Sequence, residues 1–214
     1  MTGILFDLDG TLLDTLDDLL DATNYALKVH GFPPRTRAEI RRFVGNGALN
    51  QIRLSAPAGT SPETVQVLLD TYKPYYTAHC QIKTAPYPGV LEALELLKEK
   101  YPVSIVSNKP DAAVKALCAD FFPGIYALGE TSGCPRKPAP DMVYQAMAAI
   151  GADTCIYVGD SEVDVITANN ASVPCLSVLW GFRDKEDMEA VGAVHFCEEP
   201  GDFVKKIEEL IHGQ

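Results

Sequence analysis

The strongest indication of the fold is the segment ILFDLDGTLLD, residues Ile4–Asp14. A short apolar run leads directly into two aspartates, Asp7 and Asp9, and then into Gly10. The run is typical of a buried β-strand that ends in a turn. Two neighbouring carboxylates at the end of a buried strand repel each other and lose hydration, so a cation or a proton must compensate them.

The composition indicates a soluble globular protein with an acidic surface. The chain has 214 residues, of which 47% are hydrophobic and 22% charged, and its formal net charge is −11. This charge disfavours nucleic acid and anionic membranes as partners. We find no basic leader and no apolar run of about 18 residues, so we expect no membrane span. The six cysteines are widely spaced, which predicts reduced thiols in a cytoplasmic protein rather than a zinc site or disulfide framework. We expect a monomer or homodimer.

Helix-start signals occur throughout residues 15–83. Thr15 is placed to cap a first helix, and the spacing of Thr36 and Glu39 is that of a capping box. Ser61 precedes a proline and opens a later helix, which Pro74 is placed to kink or divide. We therefore expect this part of the chain to be entirely helical.

From about residue 84 onward, apolar strand patterns alternate with helical ones. Strands are expected near 103–107, 125–128, 155–160, 174–179 and 194–197. Short apolar strands separated by helices predict a doubly wound, mostly parallel sheet with a Rossmann-like α/β fold. The predicted organisation is an α/β core of residues 1–14 and 84–214, with residues 15–83 inserted as a helical domain after the first strand.

Polar residues follow several of the predicted strands. Ser107 and Asn108 follow the second strand of the core, and Asp160 follows the strand at 155–159. In a doubly wound sheet the ligand site lies at the carboxyl ends of the strands, where the winding reverses. We therefore expect these side chains to meet Asp7 and Asp9 at one edge of the sheet.

Local geometry supports the same cluster. If the first strand continues far enough, its alternation points Asp7 and Asp9 to the same side. Asp160 and Asp164 are four residues apart and share one face of a helix. Several carboxylates in one cleft favour a hard divalent cation, Mg²⁺, and with Lys137 nearby the set suits phosphoryl transfer.

These residues resemble a known family. The four motifs of the haloacid dehalogenase superfamily of phosphohydrolases are similar, in order and spacing, to Asp7–Thr11, Ser107–Lys109, Lys137–Pro138 and Gly159–Asp164. The resemblance implies that Asp7 is the nucleophile and forms an aspartyl phosphate, and that Asp9 is the general acid and base. It implies that Ser107 holds a phosphoryl oxygen and that Lys137 neutralises charge.

The resemblance also implies how the ligands are held. Mg²⁺ would be bound by Asp7, the backbone carbonyl of Asp9, Asp160 and Asp164. The expected phosphate or substrate contacts are Gly10, Thr11, Asn108, Gly45, Asn46 and Gly47.

The helical insertion resembles the mobile cap of the family, which closes over the site. Free N–H groups at Gly45–Ala48 would favour a small carboxylate, and thus a phosphorylated two-carbon acid as the phosphate ester substrate. The stretches Phe43–Ala48, Thr84–Val90 and Trp180–Arg183 resemble family members with such a substrate.

Other functions remain open at this stage. The same core could serve a phosphatase of other sugar phosphates or nucleotides, a sugar phosphomutase similar to β-phosphoglucomutase, or, in a different class, a phospho-accepting signalling domain. Lys109 is expected to be exposed to solvent, and Arg183 is undecided between the rim of the site and ordinary surface. Four clustered arginines favour a solvated helix face over a substrate-facing patch: Arg35, Arg37, Arg41 and Arg42.

Overall fold

The computed structural model describes residues 1–213, and its main feature is a six-stranded parallel sheet. The strand order is β5-β4-β1-β6-β7-β8, and β2 and β3 form a separate antiparallel pair. The strands are β1 (Thr2–Phe6), β2 (Leu13–Asp14), β3 (Ala85–Pro86), β4 (Val103–Pro110), β5 (Tyr126–Glu130), β6 (Thr154–Gly159), β7 (Cys175–Val178) and β8 (Phe196–Cys197).

Ten helices surround or extend from this sheet in the described part of the chain. They are α1 (Leu16–Val29), α2 (Arg37–Phe43), α3 (Gly47–Ser55), α4 (Pro62–His79), α5 (Val90–Lys98), α6 (Asp111–Phe121), α7 (Asp141–Ile150), α8 (Glu162–Ala171), α9 (Lys185–Glu189) and α10 (Phe203–His212). The doubly wound α/β fold predicted from the sequence is confirmed. No helix within residues 1–213 has both the length and the hydropathy that crossing a membrane requires.

Alternation along β1 divides the core of the sheet between its two faces. Ile4 and Phe6 belong to a hydrophobic cluster that includes residues of α5, α6 and α10. Leu5, between them, packs into a second cluster with residues of α7 and α8. Because both faces are covered, the strand can be apolar at every position, as its sequence is.

The winding of the sheet reverses at β1. Phe6 pairs with Ile105 of β4 on one side and with Val158 of β6 on the other. The carboxyl ends of these three strands therefore lie side by side, which is where a doubly wound sheet binds its ligand.

Helices α1–α4 leave and rejoin the sheet at the β2–β3 pair. Their segment, residues 15–83, is called the four-helix segment below. Asp18 of α1 is buried and accepts hydrogen bonds from the backbone N–H groups of Lys83 and Thr84 and from the Thr84 hydroxyl (2.8 Å). One buried carboxylate thus fastens the end of the segment to its beginning.

Three local predictions for this segment have different outcomes. The capping box of Thr36 and Glu39 is confirmed. Thr15 occupies the N-cap position of α1 as expected, but its hydroxyl donates to Asp9 (2.5 Å) and makes no capping hydrogen bond. Pro74 does not divide α4, which runs without interruption from Pro62 to His79.

Candidate active site

The turn after β1 places its two aspartates in different surroundings. Asp7 keeps a sheet hydrogen bond, since its N–H donates to the carbonyl of Val158 (2.8 Å). The strand ends at Phe6, so the expected alternation does not extend to Asp9. Gly10 turns the chain with a positive φ of 85°, and a side chain there would collide with Asp160. Asp7 consequently forms an ion pair with Lys137, and Asp9 forms one with Lys109.

Three carboxylates gather at the ends of β1 and β6. One oxygen of each of Asp7, Asp160 and Asp164 lies within 4.8 Å of the others, and all three residues are buried. The prediction that these residues converge is confirmed, although Asp160 precedes α8 and does not share a helix face with Asp164.

Hydrogen bonds fix the orientation of two of these groups. Asp160 accepts from the backbone N–H of Phe182 (2.6 Å) and from the hydroxyl of Thr11 (3.3 Å). Asp164 accepts from the hydroxyl of Ser161 (2.6 Å). These donors are uncharged, so they orient the two carboxylates without neutralising their charge.

Lys137 lies between two members of the carboxylate cluster. Its Nζ is 2.8 Å from an oxygen of Asp7 and 2.8 Å from an oxygen of Asp164, and its side chain is 2% exposed. Burial alone would lower the pKa of Lys137, but Asp164 and Asp7 outweigh that effect and the net direction is upward. Lys137 is thus a fixed cation inside the cluster.

The same burial disfavours the ionised form of the carboxylates. Burial raises the pKa of Asp7 to about 7, with Lys137 opposing the rise and Asp164 adding to it. Burial, together with Asp164 and Asp7, also raises the pKa of Asp160. If ionised, the three carboxylates carry more negative charge than Lys137 compensates, so a further cation would favour their ionised forms and lower their pKa values.

Lys109 is not exposed, and the prediction that it would be is wrong. Its Nζ binds Asp9 at 2.6 Å and lies 4.7 Å from the ring centre of Tyr76, with the side chain 2% exposed. Tyr76 belongs to α4, so the lysine bridges the sheet and the four-helix segment. An adjacent carboxylate and an aromatic face both stabilise a cation that lysine would otherwise expose to water.

Ser107 and Asn108 lie at the carboxyl end of β4, beside this cluster. The amide of Asn108 donates to the carbonyls of Lys137 (2.9 Å) and Gly45 (3.1 Å), which brings the loop between α2 and α3 to the sheet. The carbonyl oxygen of the Asn108 side chain is buried and has no partner among the described residues. It is available to a donor on a ligand.

These groups surround a cleft between the sheet and the four-helix segment. Predicted site residues that line it are Asp7, Asp9, Ser107, Asn108, Lys137, Asp160, Gly45 and Gly47. Those that do not line it are Gly10, Thr11, Asn46 and Asp164. Thr11 is fully buried behind Asp160, and Asp164 lies behind Lys137.

The cleft also contains residues that the sequence analysis did not identify. Gln51, Tyr72 and Tyr76 line it from α3 and α4. Arg183, which the sequence left undecided between the rim of the site and ordinary surface, also lines it, from the loop after β7. Helical periodicity in α4 places both tyrosines on its buried face, but that pattern does not distinguish a cleft wall from a core.

The clustered arginines do not line this cleft. Arg35 binds Glu39 and the carbonyl of Ser55, both within the four-helix segment. The other ion pairs are Arg37 with Asp17 and Asp14, and Arg41 with Asp184. A substrate-facing patch is not observed, and the helix-face interpretation is the better one.

The doubly wound sheet and its carboxylate–lysine cluster define a class of hydrolase that acts on phosphate esters. Comparison with known proteins gives the family: the model for haloacid dehalogenase-like hydrolases matches residues 4–178. This chain belongs to that family, and it is a phosphatase.

The similarity to known proteins extends over most of this chain and most of theirs. Proteins named phosphoglycolate phosphatase from Rhodobacter capsulatus and Cereibacter sphaeroides are 35% and 36% identical to this chain; the aligned parts cover 85% and 86% of this chain and 85% and 87% of theirs. The solved structure of a Lactobacillus delbrueckii protein, provisionally named a phosphoglycolate phosphatase, is 36% identical with a TM-score of 0.90. The match covers 96% of this chain and 98% of that one.

Proposed function

We propose that this phosphatase is Mg²⁺-dependent, acts on phosphoglycolate, and forms an aspartyl phosphate on Asp7. The observation that carries the proposal is the position of Asp7 in the cleft: it lies beside a buried lysine and two further carboxylates. Phosphoryl transfer requires mainly that charge be neutralised and groups be positioned, and this cluster does both.

The donor set fits a magnesium ion. Oxygens of Asp7, Asp160 and Asp164 lie within 4.8 Å of one another, and all are hard ligands. Asp7 and Asp160 line the cleft, while Asp164 also binds Lys137 and would orient as much as ligate. When bound, the ion would neutralise negative charge on the phosphoryl group.

The chain's own residues then have separate tasks. The carboxylate of Asp7 attacks phosphorus, and Lys137 holds that carboxylate in place through a 2.8 Å contact. Asp9 gives a proton to the leaving oxygen and later takes one from water, and its oxygen is positioned by Lys109 and Thr15. The Ser107 hydroxyl, on the cleft wall, donates to a phosphoryl oxygen. The Asn108 amide lies beside the phosphate site and holds the backbone of Lys137 and Gly45 there.

The loop between α2 and α3 supports the choice of substrate. Gly45 and Gly47 adopt positive φ angles of 110° and 79°, and both line the cleft. Helix α3 begins at Gly47, so its first N–H groups have no partner within the helix and favour an anion. A carboxylate two carbons from the phosphate fits this arrangement, and the relatives named above are phosphoglycolate phosphatases. We propose that residues 15–83 act as a mobile cap.

Phosphate release from a panel of small phosphate esters, with and without Mg²⁺, tests the proposal. We expect phosphoglycolate to have the highest kcat/KM, and Asp7→Asn to abolish turnover. Near wild-type release by Asp7→Asn contradicts the assignment of the nucleophile. Isomer conversion without release of phosphate indicates a phosphomutase, and a stable phosphoprotein without turnover indicates a signalling domain.

A further inference from the structure

Arg183 extends from the loop after β7 to a helix 140 or so residues earlier in the chain. Its guanidinium donates to the carbonyls of Arg41 (2.7 Å), Val44 (2.7 Å) and Arg42 (3.3 Å). These carbonyls lie in and just after the last turn of α2, which ends at Phe43. The side chain of Arg183 is only 11% exposed.

The carbonyls concerned have no partner inside their helix. The last four carbonyls of an α-helix lack an intrahelical N–H, and the helix dipole makes that end negative. Arginine satisfies both needs, because it donates hydrogen bonds and carries positive charge. This carboxyl-terminal cap is supplied across the cleft, so it exists only while the four-helix segment lies against the sheet.

On the sheet side, the same loop is fixed to the carboxylate cluster. The Nε of Arg183 donates to Glu162 (2.8 Å), the first residue of α8, and the N–H of Phe182 donates to Asp160. A side chain on Gly181 would lie 2.3 Å from Asp160, so the loop approaches that residue as closely as a glycine allows. One short segment therefore connects the cluster to the helix.

The donors of Arg183 are almost all used in this way. A guanidinium has five N–H donors, and four are directed at Glu162 and the three carbonyls. Although Arg183 lines the cleft, it has little capacity left for a substrate. Its effect on a ligand must pass through the loop that it holds.

We propose that Arg183 is a positioning residue that caps α2 from across the cleft and holds the Val44–Gly47 loop where it encloses a bound phosphate ester. The hydrogen bond from Asn108 to the carbonyl of Gly45 continues the same set of contacts. The contact of Arg183 with α2 stands by itself, whereas its effect on turnover rests on the proposed function.

Hydrogen–deuterium exchange of peptides covering residues 37–48, without substrate, tests the contact. Arg183→Ala is expected to speed exchange there by about tenfold, the effect of losing one net charge-assisted hydrogen bond. Exchange in α10 is expected to stay unchanged. Arg53→Ala is the matched control, because the side chain of Arg53 donates to Asn50 within its own helix and has no other hydrogen bond among residues 1–213. Unchanged exchange in residues 37–48 of Arg183→Ala overturns the proposal.

Kinetics test the positioning role separately. Without the hydrogen bonds from Arg183 to α2, substrate binding must itself bring the Val44–Gly47 loop back to the cleft. KM is therefore expected to rise by up to about tenfold, while kcat at saturation stays within about twofold. Arg183→Lys is expected to restore part of the wild-type KM. Glu162→Gln weakens the contact between Glu162 and Arg183 but keeps the guanidinium. It should raise KM and speed exchange as Arg183→Ala does, but by a smaller factor. A fall in kcat with unchanged KM contradicts positioning. If phosphoglycolate is not hydrolysed, the proposed function fails, and the exchange result still decides the contact.

Discussion

Lys137→Met removes a lysine that lies inside the carboxylate cluster. Its Nζ contacts Asp7 and Asp164 at 2.8 Å each, and its side chain is 2% exposed. Removing one partner of a buried ion pair costs about 3–5 kcal/mol, since an uncompensated charge remains. Methionine has a similar length, so little of the loss comes from an empty cavity.

For a domain of this length, that loss lowers Tm by about 6–20 °C. The assay is thermal and urea unfolding at pH 8 in the presence of a chelator, where no added cation can replace the lysine. Lys115→Met is the matched control, because Lys115 forms an exposed ion pair with Asp111 in α6. A second neutralising change, Lys137→Met with Asp164→Asn, is expected to recover stability by about 1 kcal/mol or more. If Lys137→Met unfolds within about 1 kcal/mol of the wild type, the cluster is not held together as argued.

Three other predictions concern the metal, Asp9 and the thiols. Mg²⁺ at about 100 times its dissociation constant should raise the Tm of the wild type by about 5–10 °C and that of Asp160→Asn clearly less. Differential scanning fluorimetry measures both shifts, and equal shifts exclude Asp160 as a ligand. Lys109→Met should lower kcat/KM by about tenfold to a hundredfold, because Asp9 loses the lysine that positions it, whereas Lys115→Met should not. Equal activities of the two variants contradict this role. In native protein at pH 8, iodoacetamide should modify the half-buried Cys134 well before Cys118 and Cys155, because burial raises the pKa values of the latter two to about 12. Mass spectrometry of the labelled peptides identifies the order of modification.

Most of the fold could be predicted because its signals are local. The apolar run of β1 and the capping box at Thr36 depend on residues within a few positions of one another. The alternation of strands and helices after residue 84 predicts a parallel sheet for the same reason. Thr15 shows the limit of local signals: its sequence context is that of a helix cap, but Asp9, six residues away, takes its hydroxyl.

Part of the site could be predicted because a parallel sheet brings its strand ends together. Asp7 and Asp160 follow strands that are neighbours in the sheet, so knowledge of the fold class was enough to bring them into one cluster. Two local details of the prediction were wrong. Strand alternation does not continue beyond Phe6 to Asp9, and Asp160 does not share a helix face with Asp164.

The class of fold, the family and the carboxylates of the cluster can all be predicted from the chain, because each depends on short-range patterns repeated in a known order. The states of Lys109 and Arg183 depend instead on tertiary contacts. Lys109 is buried against a carboxylate 100 residues away, and Arg183 binds carbonyls about 140 residues away. The free energy of a charged side chain depends on what surrounds it in space, and the chain brings those surroundings together only when the four-helix segment packs against the sheet.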